Sequence, residues 1–271
     1  MWIAVWCWRR MSSWIQSIWK PALFFVFFLI IALLINTPVG HLMGRVKFPE
    51  GVKISPIQGT LFEGQVDTLV VNQLIVQELE YRFKISCLVT ASLCYRINFT
   101  DGSALIQYSP IKGSIKVSQL DVELSMSSLA GLSNQLLVKP TGSLNLSSDK
   151  LIFIQGKLVD IDAIAIWKNA GIEGDDINLG NYQLNLKKDA EQFQVNLVDN
   201  DALLNVEGEG ELKSDGRYSL DININANSGL EARIKTALEF VASKKGLRQY
   251  NIHRSGTTDK RLLSYLSFED I

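Results

Sequence analysis

Cys87 and Cys94 stand seven residues apart in CLVTASLC and are the two side chains best placed for covalent chemistry. On a helix their Cα atoms would lie about 10 Å apart, too far for a bond. On a straight strand they are farther apart still and point to opposite faces. A disulfide therefore requires the six residues between them to bulge or to complete one helical turn. Closing so small a loop contributes about 2.5 kcal/mol when treated as chain entropy. The competing reading is a pair of buried thiols. In an oxidising compartment two cysteines that can meet seldom stay free, so the bond is the expectation.

No other group offers a reaction. The two histidines, His41 and His253, are remote from the cysteines and from each other, which leaves no zinc spacing. No GxSxG elbow, phosphate loop, HExxH helix or CxxC pair is present. Gly208-Glu209-Gly210 is a lone GxG whose glutamate would repel a phosphate, and it reads as a strand irregularity. Asp175-Asp176 and Asp199-Asn200-Asp201 lack the ligand spacing of a calcium loop and read as solvated turns. His253 has no nucleophile near it in sequence. We therefore expect no catalytic residue, no metal, no cofactor and no enzyme. Trp167, the sole Trp beyond residue 19, reads as a core plug, with a partner-facing anchor as the alternative.

Whatever positions these residues must begin with the apolar run Pro21 to Ile35, PALFFVFFLIIALLI. Extended back through Ile15 and on to Thr37, it is long enough for a membrane-spanning helix. Trp14 and Trp19 would sit at the interface, and Lys20 would reach toward the headgroups. The flanks lack a clean small-x-small cleavage site, so the expectation is an uncleaved anchor. Arg9, Arg10 and Lys20 outnumber Arg45 and Lys47 across the run, which favours a cytoplasmic N-terminus. Residues 1–47 hold five Lys/Arg and no acid, leaving 22 basic and 28 acidic residues beyond, a net of −6. An acidic ectodomain is a poor partner for nucleic acid, which is set aside.

Beyond the anchor the period is two. Leu120-Val122-Leu124-Met126, Tyr182-Leu184-Leu186, Phe193-Val195-Leu197 and Tyr218-Leu220-Ile222-Ile224 all alternate, with Asp101-Gly102 and Asp215-Gly216 as turns. The fold class is mainly β: an antiparallel meander built as a curved open sheet, half-barrel or sandwich. Two short helices interrupt it, one over Ser128–Val138 and one carrying Leu230, Ile234, Leu238 and Val241 on one side. The expected organisation is a tail at 1–14, the anchor at 15–37 and a first β unit at 38–126. A helix at 127–139, a second β unit at 140–257 and a C-terminal tail at 258–271 complete it.

Several stretches carry a resemblance. Pro49, Gly51 and Val52 lead into Gly59-Thr60-Leu61-Phe62-Glu63-Gly64, followed by Tyr81-Arg82-Phe83, Leu179-Gly180-Asn181-Tyr182, and Gly208 through Gly216-Arg217-Tyr218. In this order the chain resembles protein N of the general secretion pathway, the type II secretion system of Gram-negative bacteria, over about residues 20–256. Phe62 stands where the family usually has Trp. The resemblance implies a single-pass inner-membrane protein with a periplasmic β domain, an accessory part of a machine exporting folded proteins. Its partners would be other secretion components, either the outer-membrane secretin or the inner-membrane platform. A competing reading is a membrane-anchored lipid-handling protein, because an open sheet with one apolar face could cradle acyl chains. What covers Leu120, Val122, Leu220 and Ile222 separates the two.

Overall fold

The computed structural model describes residues 21–30, 32–33, 36–40, 51–72, 74–130, 139–174, 178–227, 232–258, 263 and 265–267. Within them the alternating runs form one antiparallel sheet of fifteen strands. It opens with β1 (Val52–Ile54), β2 (Gln58–Gly59) and β3 (Glu63–Val71). It continues through β4 (Leu74–Lys84), β5 (Leu93–Phe99), β6 (Gly102–Ser109) and β7 (Ser114–Ser125). The longest pair, β8 (Pro140–Ile154) and β9 (Lys157–Ile172), lies in the middle. Then follow β10 (Asn178–Asp189), β11 (Gln192–Asn200), β12 (Leu204–Lys213) and β13 (Arg217–Ala226). β14 (Ser243–Lys244) and β15 (Gln249–Thr257) end the sheet.

From β3 to β13 every strand pairs with its neighbour in sequence; β15 then joins β13, and β14 lies outside it. β1 and β2 share the outer side of β3. The sheet is thus open, with β1 and β2 along one edge and β14 along the other. β7 and β8 pair directly, so the strands on either side of residues 127–139 belong to one sheet. Hairpin chemistry explains the meander. Between β8 and β9, Gln155 (φ 51°) and Gly156 (φ 81°) are both left-handed, the two-residue turn whose twist matches paired strands. Irregular register between β6 and β7, β8 and β9, and β9 and β10 bends the sheet locally.

Register keeps one face apolar across the strands. Leu186 stands opposite both Val195 and Ala163, and Ile224 opposite Val206. The other face sets Glu207, Glu209 and Glu211 of β12 against Asn223, Asp221 and Ser219 of β13. A helix, Ala232–Val241, covers the apolar face at one place, where Leu204, Val206, Ile224, Leu238 and Tyr250 form a buried cluster joined by Ile234. Among the described residues, no second layer lies over β4 to β8. In β4 to β8 the buried positions are Cys94, Ala104 and Ser148, and every larger apolar side chain of those strands is part-exposed. A second packed sheet would have buried them.

The other expected helix is observed as Met126–Ala130, and residues 131–138 lie outside the described residues. Residues 21–30 are helical and every one is exposed, Phe24 and Phe25 by about two-thirds (67% and 68%). Among the described residues no helix is long and apolar enough to cross a membrane. Trp14, Trp19, Lys20 and Ile35 of the expected span lie outside them, while Pro21 begins the helical run.

Antiparallel pairing sends successive turns to alternate rims. The first rim carries the corner at Thr60–Glu63 and the connections after β4, β6, β8, β10 and β12; the second carries those after β3, β5, β7, β9 and β11. Pro38 bridges to Thr60, which brings the end of the N-terminal helix to the first rim.

Candidate functional site

The Gly-Thr-Leu-Phe-Glu-Gly stretch is a corner held by its own backbone and by aromatics. The Thr60 N–H donates to the Glu63 carbonyl (2.8 Å), and the Thr60 Oγ1 accepts from the Phe62 N–H (3.2 Å). Tyr81 donates its hydroxyl to the Thr60 carbonyl (2.6 Å) and Tyr95 donates to the Leu61 carbonyl (3.2 Å). Phe62 meets Phe83 edge-on at 5.3 Å, and Phe83 meets Tyr95 at the same distance. Gly64 is required by contact: a Cβ there would lie 2.3 Å from the Gln58 carbonyl oxygen and 2.5 Å from the Tyr81 hydroxyl. Burial raises both tyrosine pKa values above the usual phenol range, with Tyr95 adding to the effect on Tyr81. The motif is a structural fastening at the first rim, beside the arriving helix. Gly51 and Val52 start β1 at the opposite, second rim, where the Asn72 N–H donates to the Gly51 carbonyl and Val52 pairs with Val71. Pro49 lies outside the described residues.

Two strands along from this corner lies the cysteine loop. Residues Ile85–Thr90 form a 3-10 helix, ended by Ala91 in the left-handed conformation, whose N–H turns back onto the carbonyls of Cys87 and Leu88. That turn is what the spacing demanded. It brings the two Cα atoms to 5.9 Å with the sulfurs joined. Cys94 is fully buried, and Cys87 half-buried.

The remaining motif residues sit elsewhere. Leu179, Gly180 and Tyr182 occupy the irregular start of β10 at the second rim, where the Tyr182 hydroxyl donates to the Leu179 carbonyl (3.1 Å). Tyr182 lies 6.3 Å from Trp167, whose indole N–H donates to the Thr141 carbonyl (2.9 Å). Burial, then the Asp199 carboxylate, pushes the Tyr182 pKa up to about 12. Trp167 is half-buried within β9, which runs on through Asn169 to Ile172. Gly216, Arg217 and Tyr218 open β13 at the first rim, with Arg217 paired to Asp215. The motif residues therefore occupy four separate places on the two rims and do not converge on one centre.

What does extend across the molecule is the apolar face. On it a cavity of about 340 Å³ is lined by Leu158, Leu186, Val195, Leu212, Leu220 and Leu266, from five consecutive strands and the C-terminal segment. Gly208 and Gly210 lie on this face. Both pair in regular register with β11 and β13, which corrects the expected irregularity at Gly208-Glu209-Gly210. Their missing Cβ atoms make room instead: one at Gly208 would lie 3.0 Å from Ile222, and one at Gly210 3.2 Å from Leu220.

The C-terminal segment is a feature the sequence reading left without a role. Thr258 donates to the Gly216 carbonyl, and farther on Leu158 donates to the Tyr265 carbonyl while Ser267 donates to that of Leu158. This C-terminal strap is thus tied to the first rim beside β13 by Thr258 and at β9 by Tyr265 and Ser267. The three-residue spacing of Leu263 and Leu266 was the available signal.

The polar face holds His253, whose Nδ1 lies 3.2 Å from Asp221. The buried Asn251 side chain donates to Asp221 (2.8 Å) and Asn223 (3.0 Å). Asn251 first, and His253 second, hold the Asp221 carboxyl below its usual range. Among the described residues no group of three or more His, Cys, Asp or Glu is placed to hold a metal ion. Asp175 and Asp176 lie outside them.

A family model described as type II secretion system (T2SS), protein N, matches residues 50–253. No curated protein and no solved structure matches the chain.

Proposed function

The chain belongs to the protein N family of type II secretion systems, and from that premise we propose an accessory component anchored in the inner membrane, working through protein contacts of a periplasmic β domain. One observation carries the reading. Among the described residues the sheet presents an apolar face without a second layer over β4 to β8, and an apolar face left part-exposed over several strands marks an interaction site. The exposed apolar helix of residues 21–30 supports the anchor. The partners are other components of the secretion apparatus. Photocrosslinking residues placed at Val122 and Val195 in cells, with the polar-face Glu209 as control, test this. Trapping a secretion component at the first two and not at Glu209 is the expected result; equal trapping at all three refutes it.

A second reading is favoured by the cavity under Leu266, whose accessible lining from β9 to β13 is almost wholly apolar, Phe193 included. Such a surface accepts acyl chains as readily as it accepts a protein. Phospholipid adducts at Val195, in place of protein adducts, would make lipid handling the function of this face.

A further inference from the structure

We propose that two hairpin tips of the first rim seat themselves in the surface of the membrane from which the N-terminal helix emerges. The proposal rests on reading that helix as the anchor. The tips are the 3-10 loop between β4 and β5 and the turn between β6 and β7, with only β5 and β6 between them, which sets them about 10 Å apart. Each ends in aliphatic side chains that point into solvent. Val89 is 91% exposed, Ile111 83%, Ile85 71% and Leu88 51%. Exposed aliphatics at such extremes, clustered on two neighbouring tips, call for an apolar neighbour.

Placement and charge identify that neighbour as lipid. Thr37 donates its hydroxyl to the Leu33 carbonyl (2.6 Å), and Pro38 bridges to Thr60, so the apolar helix is joined to this same rim. The bilayer holding that helix therefore lies on the side toward which both tips project. Flanking the tips are Lys84, Lys112 and Lys116, and no acidic residue occurs between Lys84 and Thr100 or between Gly102 and Leu120. Elsewhere the ectodomain is net acidic. A local basic stripe around aliphatic tips matches an anionic headgroup layer over hydrocarbon. The cysteine bond and the left-handed Ala91 hold Leu88 and Val89 at the tip of the loop, so little order is lost on insertion.

The full chain, reconstituted in liposomes of phosphatidylethanolamine and phosphatidylglycerol, tests this with a benzophenone amino acid at one position at a time. The positions are Val89 and Ile111 on the tips, Ile75 and Leu247 as exposed apolar controls at other places, and Phe27 in the helix. Burial of one aliphatic side chain biases such contacts about tenfold or more, so lipid adducts at Val89 and Ile111 are expected to exceed those at Ile75 and Leu247 by that factor. Replacing phosphatidylglycerol with phosphatidylcholine is expected to lower them. Adducts at Phe27 with none above control at the tips overturn the proposal and leave the anchor standing. Absence of adducts at Phe27 overturns the anchor reading and this proposal with it.

Discussion

Breaking the bond between Cys87 and Cys94 is expected to cost stability in amounts that differ by route. The bond closes a loop of eight residues, counting both cysteines. Chain-entropy treatment of a loop that size gives about 2.5 kcal/mol. Reduction, which leaves both sulfurs in place, should cost about that much. Cys87→Ser should cost nearly the same, because Cys87 is half-buried and its hydroxyl reaches water. Cys94 has no exposed surface, so Cys94→Ser places a hydroxyl where no water reaches and adds about 1–3 kcal/mol. The expected order is reduction and Cys87→Ser together, then Cys94→Ser well below them. Urea unfolding of the full chain in detergent, followed by far-ultraviolet circular dichroism with and without reductant, measures all three. Hydrogen exchange in β4 and β5 shows whether the loss is confined to that hairpin. Equal midpoints with and without reductant, together with ready alkylation of both thiols, would refute the bond. Equal costs for the two serine variants would refute the burial argument.

Further substitutions probe the rest of the molecule. Leu238→Ala removes a member of the buried cluster under the helix and should cost about 2–5 kcal/mol, whereas Ile75→Ala, 58% exposed, should lie within about 0.5 kcal/mol of the parent; the same titration compares them. Gly64→Ala drives a Cβ into the Gln58 carbonyl and the Tyr81 hydroxyl and should cost about 1–3 kcal/mol, read as a fall in Tm. Because Asp221 has a folded pKa below its unfolded one, its contribution is full above the ordinary carboxylate range and is lost as pH falls through the folded value. Stability against acid pH should therefore be flatter in Asp221→Asn than in the parent.

The strand content was legible because it depends on alternation, and Tyr218-Leu220-Ile222-Ile224 maps onto β13 residue for residue. The helix near Leu238 was legible for the same reason, since Ile234 and Leu238 share a face and both reach the buried cluster. What covers the apolar face was not legible. Alternation states that one face is apolar and is silent on whether a second sheet lies over it. The glycines of β12 were misread because a glycine that makes room for Leu220 looks, in sequence, like one that bends a strand. The cysteine loop was half legible: spacing required a turn, but Ala91 in a left-handed conformation has no sequence signal of the kind glycine or asparagine gives. The exposed tips at Val89 and Ile111 sit inside ordinary apolar segments, and only the register of β4 to β7 brings them to one rim.

Nearest-neighbour pairing also governs the order in which this protein can be made. From β3 to β13 each strand finds its partner in the strand synthesised just before it, so no strand must wait for a distant one. The entropy of closing each hairpin is small, and an N-terminal portion of the sheet needs nothing from the portion still to come. A chain threaded N-terminus first through a translocation channel can therefore fold as it emerges, with a single growing edge. The exception is the strap. Leu266 meets Leu158, far back on β9, and emerges only after every strand between them has been made. In a chain that folds as it emerges, its docking comes after the strands are out, and protection of the Leu158 amide, which donates to Tyr265, reports that step.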